Sequence, residues 1–146
     1  MAALTTDAQR PIRGVYETAH VQLSGSAGTV YKGAILVQDV SALDGYAIPA
    51  AGTAATGDIF CGVNLGRVKV ASGSGNGDYK ALVISKGRVG FPVGSFAQAD
   101  TGSIVYASDD NTITTTSTGN FRVGKIVEVD SDYAWVEVGD YFMTAQ

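Results

Sequence analysis

Reactive side chains are scarce in this chain: among 146 residues there is one cysteine, one histidine and one tryptophan. A lone cysteine excludes an intramolecular disulfide, and Cys61, inside the apolar run "IFCGV", reads as a small buried hydrophobe. The single imidazole, His20, lies in a short alternating segment without a serine or cysteine partner, and no G-x-S-x-G elbow is present, so nucleophilic catalysis is not expected. Charge is thin as well, at 16% of residues, with ten basic side chains scattered against fourteen acidic ones for a net −4. Phosphate binding needs a concentrated Lys/Arg face, so nucleic acid is not an expected partner. No apolar run approaches the ~18 residues of a membrane span. The opening "MAALTTDAQRPIRG" lacks the apolar core of a secretory signal. These features lead us to expect a protein made and folded in a cytosol, without membrane, metal or cofactor.

What is abundant is glycine, nineteen residues of it, together with Thr, Ser, Val and Ala. That mixture favours short strands joined by tight turns. Strand candidates follow one another at short intervals: "HVQLS" (20–24), "TVYKGAILVQDV" (29–40) with Gly33 as a bulge, and "IFCGVNLGRVKVA" (59–71). After these come "DYKALVIS" (78–85), "GRVGFPVG" (87–94), "SIVYAS" (103–108), "NTITTTS" (111–117), "FRVGKIVEVD" (121–130) and "YAWVEVGDYF" (133–142). The stretch "DGYAIPAAGTAATGD" (44–58) is turn-rich, and Pro49 limits central pairing there. One helical turn is expected around "SFAQAD" (95–100). The fold class read from this pattern is all-β: a single compact β-barrel or β-sandwich-like domain of short antiparallel strands over 15–146. Residues 1–14, interrupted by Pro11 and Gly14, form an extended N-terminal arm. A weak echo relates about 30–66 to about 100–130, each giving a Gly-initiated apolar strand, a turn, a Thr-rich strand, then Thr-Gly and an apolar strand containing glycine.

Carboxylate pairs occur as Asp109/Asp110 and Asp130/Asp132, and Glu128 and Glu137 could meet across a hairpin. Acid/base chemistry needs two carboxylates held in a cleft. Both Asp pairs instead sit in hairpin-turn contexts, "SDDN" and "DSD", where Asp caps local backbone amides. "SGSGNGDY" (72–79) lacks the Lys-Ser/Thr and following helix of a phosphate loop and reads as a flexible hairpin loop. The aromatics are spread evenly, as core residues are. Trp135, Tyr141 and Phe142 stand closer together and are a candidate subunit contact, since Tyr and Trp are enriched at interfaces.

The segment "QADTGSIVYASDDNTITTTSTGNFRVGKIVEVDSDYAWVEV" (98–138) resembles the second half of the small bacteriophage capsid decoration, or cement, proteins. "YKGAILVQDV", "IFCGVNLGRV" and "ISKGRVGFPVG" stand where that family has its early strands. The resemblance implies a non-enzymatic β-domain on the capsid exterior of the virion, binding the major capsid protein and itself as a homotrimer or dimer, and bridging capsomers. A β-domain of a phage tail or fibre, or a receptor-binding tip, is the alternative. The arm has no family counterpart, and its capsid-binding role is expected from its free extended character. Leu4, Thr5, Thr6, Asp7, Gln9, Arg10, Pro11, Ile12 and Arg13 are the expected contacts, ordering on docking, with Arg10 and Arg13 supplying charge. On that view, deleting residues 2–13 abolishes decoration and leaves the domain folded.

Overall fold

The computed structural model describes residues 3–38, 45–50 and 59–139. Within them eleven strands form: β1 (Ile12–Gln22), β2 (Thr29–Val30), β3 (Ile35–Gln38), β4 (Ala47–Pro49), β5 (Ile59–Asn64), β6 (Val68–Lys69), β7 (Lys80–Pro92), β8 (Ile104–Ala107), β9 (Ile113–Thr114), β10 (Phe121–Val129) and β11 (Tyr133–Val138). The only helical element among the described residues is a 3-10 turn, Gln98–Asp100, inside the expected segment. The fold is all-β, as expected. One antiparallel sheet runs β4-β3-β5-β7-β11-β10-β8-β9 and curls into a half-barrel, while β2 and β6 form a separate pair.

β7 is the spine of the sheet. Val89 pairs with Ile12 of β1 on one edge and with Val136 of β11 on the other. Farther back, Ile84 pairs with both Thr18 of β1 and Val63 of β5. The strand order is palindromic. β3 lies between β4 and β5, β8 lies between β9 and β10, and the two three-stranded units join through β7 and β11. Each unit carries one extra residue in its third strand, Cys61 in β5 and Val123 in β10, immediately before Gly62 and Gly124. The sequence echo falls on these two units.

Two apolar clusters result because β7 buries residues on both faces. Ile84, Val89 and Phe91 join Ile35, Val37, Phe60, Val105, Phe121, Val123, Ile126, Val136 and Val138 inside the curl. Ala81 and Val83 face a smaller cluster with Leu23, Val30, Ala34, Leu36, Ala47 and Val70, against which β1 packs Ala19 and Val21. Opposite ends of the sheet meet where the Ile35 amide donates to the Asp110 carbonyl, 2.9 Å away. This contact ties β3 to the β8–β9 turn across the open side.

Several elements differ from the sequence reading. The run 29–40 is not one strand: the chain turns at Tyr31–Ala34, with the Ala34 amide bonded to the Tyr31 carbonyl, separating β2 from β3. Segments 78–85 and 87–94 fall in a single thirteen-residue strand, since pairing of Gly87 with Val138 of β11 carries the backbone through the glycine. The 20–24 candidate is the end of the eleven-residue β1, which begins at Ile12 and overlaps the expected arm. Of "NTITTTS" only Ile113 and Thr114 pair. Beyond them side chains take over the bonding: the Thr116 amide donates to Thr114 Oγ1, and Asn120 Nδ2 donates to the Thr116 carbonyl. A bulge between Ile126 and Glu128 sets Glu128 opposite Trp135, and Glu137 pairs with Lys125, so the two glutamates do not meet. The loop 72–79 is fastened rather than loose: Asn76 Oδ1 accepts from the Gly25 amide and Asp78 Oδ2 from the Gly75 amide.

Because Phe91 is fully buried at the centre of the larger cluster, Phe91→Ala is expected to cost about 3–5 kcal/mol in urea unfolding. Leu82→Ala, at a 39% exposed position on the same strand, is expected to change stability by about 0.5 kcal/mol or less.

Candidate functional site

The expected contact segment is extended but it is docked on its own domain. Its backbone is held at both ends: the Ala8 amide donates to the Lys32 carbonyl at 2.9 Å, and the Pro11 carbonyl accepts from Gly90 at 2.8 Å. Farther out, the Leu4 amide donates to Asp110 Oδ1 at 2.9 Å. Asp7 accepts from the Lys32 amide and pairs with Arg67 Nε at 3.1 Å. Its carboxyl lies below the usual range, chiefly through the Lys32 amide bond. Gly33 explains how the chain can lie so close. Its φ is +88°, and a Cβ there would stand 2.7 Å from the Ala8 carbonyl oxygen and 3.2 Å from Arg10 Cγ.

Arg10 is the anchor. Only 9% exposed, it donates from Nε to the Gly33 carbonyl at 3.1 Å and from Nη2 to Asn111 Oδ1 at 2.7 Å. Its guanidinium also sits 4.7 Å from the centroid of the Phe91 ring. Burial lowers its pKa to about 10, and the negative charge of Asp110 opposes part of that shift. Asp110, 5% exposed, is itself pushed above the usual carboxylate range, first by desolvation and also by neighbouring Asp109, against the Leu4 amide bond and the Arg10 charge. Arg10 and Asp110 are thus both buried beside the seam where β3 meets the β8–β9 turn, Arg10 bonded to Gly33 and Asn111 and Asp110 to the Leu4 amide.

Arg13, the last of the expected contacts, caps a second cluster. Nη1 contacts Glu128 Oε1 at 2.7 Å, Nη2 lies 3.5 Å from Asp130 Oδ2, and the guanidinium covers the Trp135 ring at 3.8 Å. Trp135 Nε1 donates to Asp130 Oδ2 at 2.9 Å, and Tyr133 packs 5.6 Å from the indole, centroid to centroid. Asp130 also takes the Asp132 and Tyr133 amides on Oδ1, which is the turn-capping role its sequence context suggested. The Trp135 bond, then these amides, hold its carboxyl below the usual range. Asp109 likewise caps its turn, accepting from the Asn111 and Thr112 amides.

The individual expectations thus separate. Arg10 is committed inside the domain, and Arg13 is engaged by Glu128 and Trp135; neither is a free charge waiting for a partner. Ile12 packs on the main core. Thr5, Thr6 and Gln9 are exposed along the docked arm. Trp135 is 4% exposed and buried within one chain, which removes its ring from a subunit contact; Tyr141 and Phe142 lie outside the described residues. His20 is exposed on β1, opposite Leu82. Cys61 is half-buried against the smaller cluster rather than fully buried as expected, and desolvation there raises its thiol to about 11. The arm's receiving residues, Gly33, Phe91, Asp110 and Asn111, come from three separated segments, and only the turn setting of Asp110 was visible in the sequence.

Beside the anchor is a cavity of about 250 Å³, lined mainly by Phe91, Pro92, Phe96, Asn111 and Ile113. Among the described residues no three His, Cys, Asp or Glu side chains cluster to hold a metal, and no helix is long and apolar enough to cross a membrane. No family model, curated protein or solved structure matches the chain.

Arg10 predicts a stability effect: Arg10→Met should cost about 2–4 kcal/mol in urea unfolding, because it leaves the Gly33 carbonyl and Asn111 Oδ1 without their buried donors. Asp130 predicts a pH signature. A carboxyl whose pKa is lower in the folded state adds stability above about pH 4 and loses it as pH falls through the folded value. Thermal unfolding of Asp130→Asn should lie below wild type at pH 6, and the gap should close as the pH falls toward 2.

Proposed function

We propose that this chain is a capsid decoration protein, binding the outer surface of a phage shell as a homo-oligomer and bridging its capsomers. The observation that carries the reading is the similarity of residues 98–138 to the second half of that protein class. Those residues form one contiguous unit here, the 3-10 turn followed by β8, β9, β10 and β11. A curled strand scaffold with a strapped-down terminus suits a part that must keep its shape while a lattice is loaded.

Stabilisation follows from mass action. A protein that binds only the assembled, mature lattice adds RT ln(1 + [L]/Kd) per site against disassembly. An oligomer touching several capsomers makes its later contacts intramolecular and gains avidity from them. The arm takes a different part in this mechanism from the disorder-to-order docking that its sequence suggested. Thr5, Thr6 and Gln9 are exposed on a segment already fixed by Ala8, Arg10 and Pro11. A capsid edge meeting this preformed surface pays less ordering entropy than one that must capture a free arm.

Deleting the arm would test folding and binding together, so the decisive experiment leaves Arg10 in place. Purified protein is added to mature shells lacking it and imaged by electron microscopy. Density at regular lattice positions is expected, with reduced occupancy for a Thr5→Glu/Thr6→Glu/Gln9→Glu variant of unchanged thermal stability. Bare shells at saturating wild-type protein would overturn the proposal.

A further inference from the structure

The loop 72–79 leads into β7 and is fastened to the corner that follows β1. Two of its fastenings fall on a chemically reactive pair. Asn64, Asn111 and Asn120 precede Leu65, Thr112 and Phe121, whose side chains shield the next backbone nitrogen; Asn76 alone precedes a glycine. Asn76 is exposed, and its Oδ1 accepts from the Gly25 amide at 2.8 Å. The Gly77 amide, one peptide bond away, donates to the Leu23 carbonyl at 2.9 Å. Glycine is required at this position: φ is +80°, and a Cβ there would lie 2.8 Å from Gln22 Oε1 and 3.3 Å from Tyr46 Cε1. The packing that holds the loop therefore keeps an unhindered nitrogen beside the Asn76 side chain.

We infer that Asn76–Gly77 is a self-modifying site, an asparagine that converts to isoaspartate when the Leu23–Gly77 bond opens. Hydroxide removes the Gly77 amide proton, and the nitrogen attacks Asn76 Cγ. The new N–Cγ bond closes a succinimide ring; Nδ2 takes a proton from water and leaves as ammonia, which regenerates hydroxide. Water then opens the ring. Addition at Cγ gives an aspartate, whereas addition at the main-chain carbonyl leaves Gly77 joined through Cγ, an isoaspartate. A water enters and an ammonia departs, with nothing oxidised or reduced.

The two bonds act with opposite sign. The Gly25 amide donates to the oxygen that carries the charge of the tetrahedral intermediate, and so assists the step as an oxyanion donor does. The Leu23 carbonyl holds the proton that must be lost, and so blocks the step while the loop is closed. Reaction waits on a local opening, which a loop containing Gly73, Gly75 and Gly77 makes at lower cost than global unfolding. Conversion is irreversible and is felt in the packing. Isoaspartate lengthens the main chain by a carbon and adds a negative charge two residues from Asp78, which caps the Gly75 amide. The longer chain disturbs the Leu23 corner, where Leu23 donates to the Tyr79 carbonyl and is buried in the smaller cluster. The modification needs no partner and is read on the free protein, beyond the proposed function and separate from it.

The test is peptide mapping by mass spectrometry after the full chain is incubated at mildly alkaline pH. The peptide holding Asn76 is expected to gain the mass difference between amide and acid and to become a substrate for isoaspartyl methyltransferase. Asn64, Asn111 and Asn120 should remain amides. The folded protein should convert about tenfold to a hundredfold more slowly than the same chain in urea, a local opening lying between no protection and global unfolding. Protection of the Gly77 amide from hydrogen exchange should match that slowing to within about threefold. Aged wild type should unfold at a lower temperature than fresh protein, and Asn76→Gln stored alike should not change. The proposal is overturned by a folded protein that converts as fast as the unfolded chain, by one that converts only as fast as global unfolding allows, or by slowing that departs from the Gly77 protection.

Discussion

The double-sided pairing of β7 is the constraint on which the remaining structure rests. A strand flanked by β1 on one edge and by β5 and β11 on the other must satisfy two ladders at once. It must also bury side chains on both faces, Val83 toward one cluster and Ile84 toward the other. Its length follows from these duties, as do its glycines: Gly87 accommodates the β1 bulge and Gly90 lies under Pro11 and Tyr133. The palindromic order of the sheet places β7 and β11 together at its centre, so that each three-stranded unit hangs from one of them.

The same geometry gives the N-terminal segment its meaning. A half-barrel leaves a seam, and here β3 and the β8–β9 turn meet across it through a backbone bond to Asp110. The arm crosses beside that bond and buries Arg10 against the Phe91 ring, bonded to the Gly33 carbonyl and Asn111. A guanidinium removed from water is costly unless its donors are paired. Those bonds therefore make the arm part of the domain. This reverses the expected division of labour, in which the domain was the scaffold and the arm its mobile hook.

The fold class was legible because glycine-rich punctuation and β-branched residues act locally, and strands of that kind have few architectures. The caps by Asp109 and Asp130 were legible for the same reason: an Asp oxygen reaches its own turn amides. Strand continuity was not, because Gly87 looks like a break until β11 is present to carry the chain through it. "NTITTTSTG" misled in the opposite way, having strand propensity throughout but too few neighbours to pair with. The site was least legible. Arg10 reads as a solvated charge in sequence, and nothing near it announces Gly33, Phe91, Asn111 and Asp110, which only tertiary structure assembles around it.

Native-state hydrogen exchange tests the central claim, that the arm is an integral strap of the barrel, most directly. The Leu4, Ala8 and Gly90 amides report on the arm's attachments, and amides of β7 such as Val83 report on global unfolding. The account predicts that Ala8 and Gly90 are protected to within about tenfold of β7, with Leu4 less protected at the free end. Exchange of Ala8 at the rate of an unstructured peptide, while β7 stays protected, would contradict it.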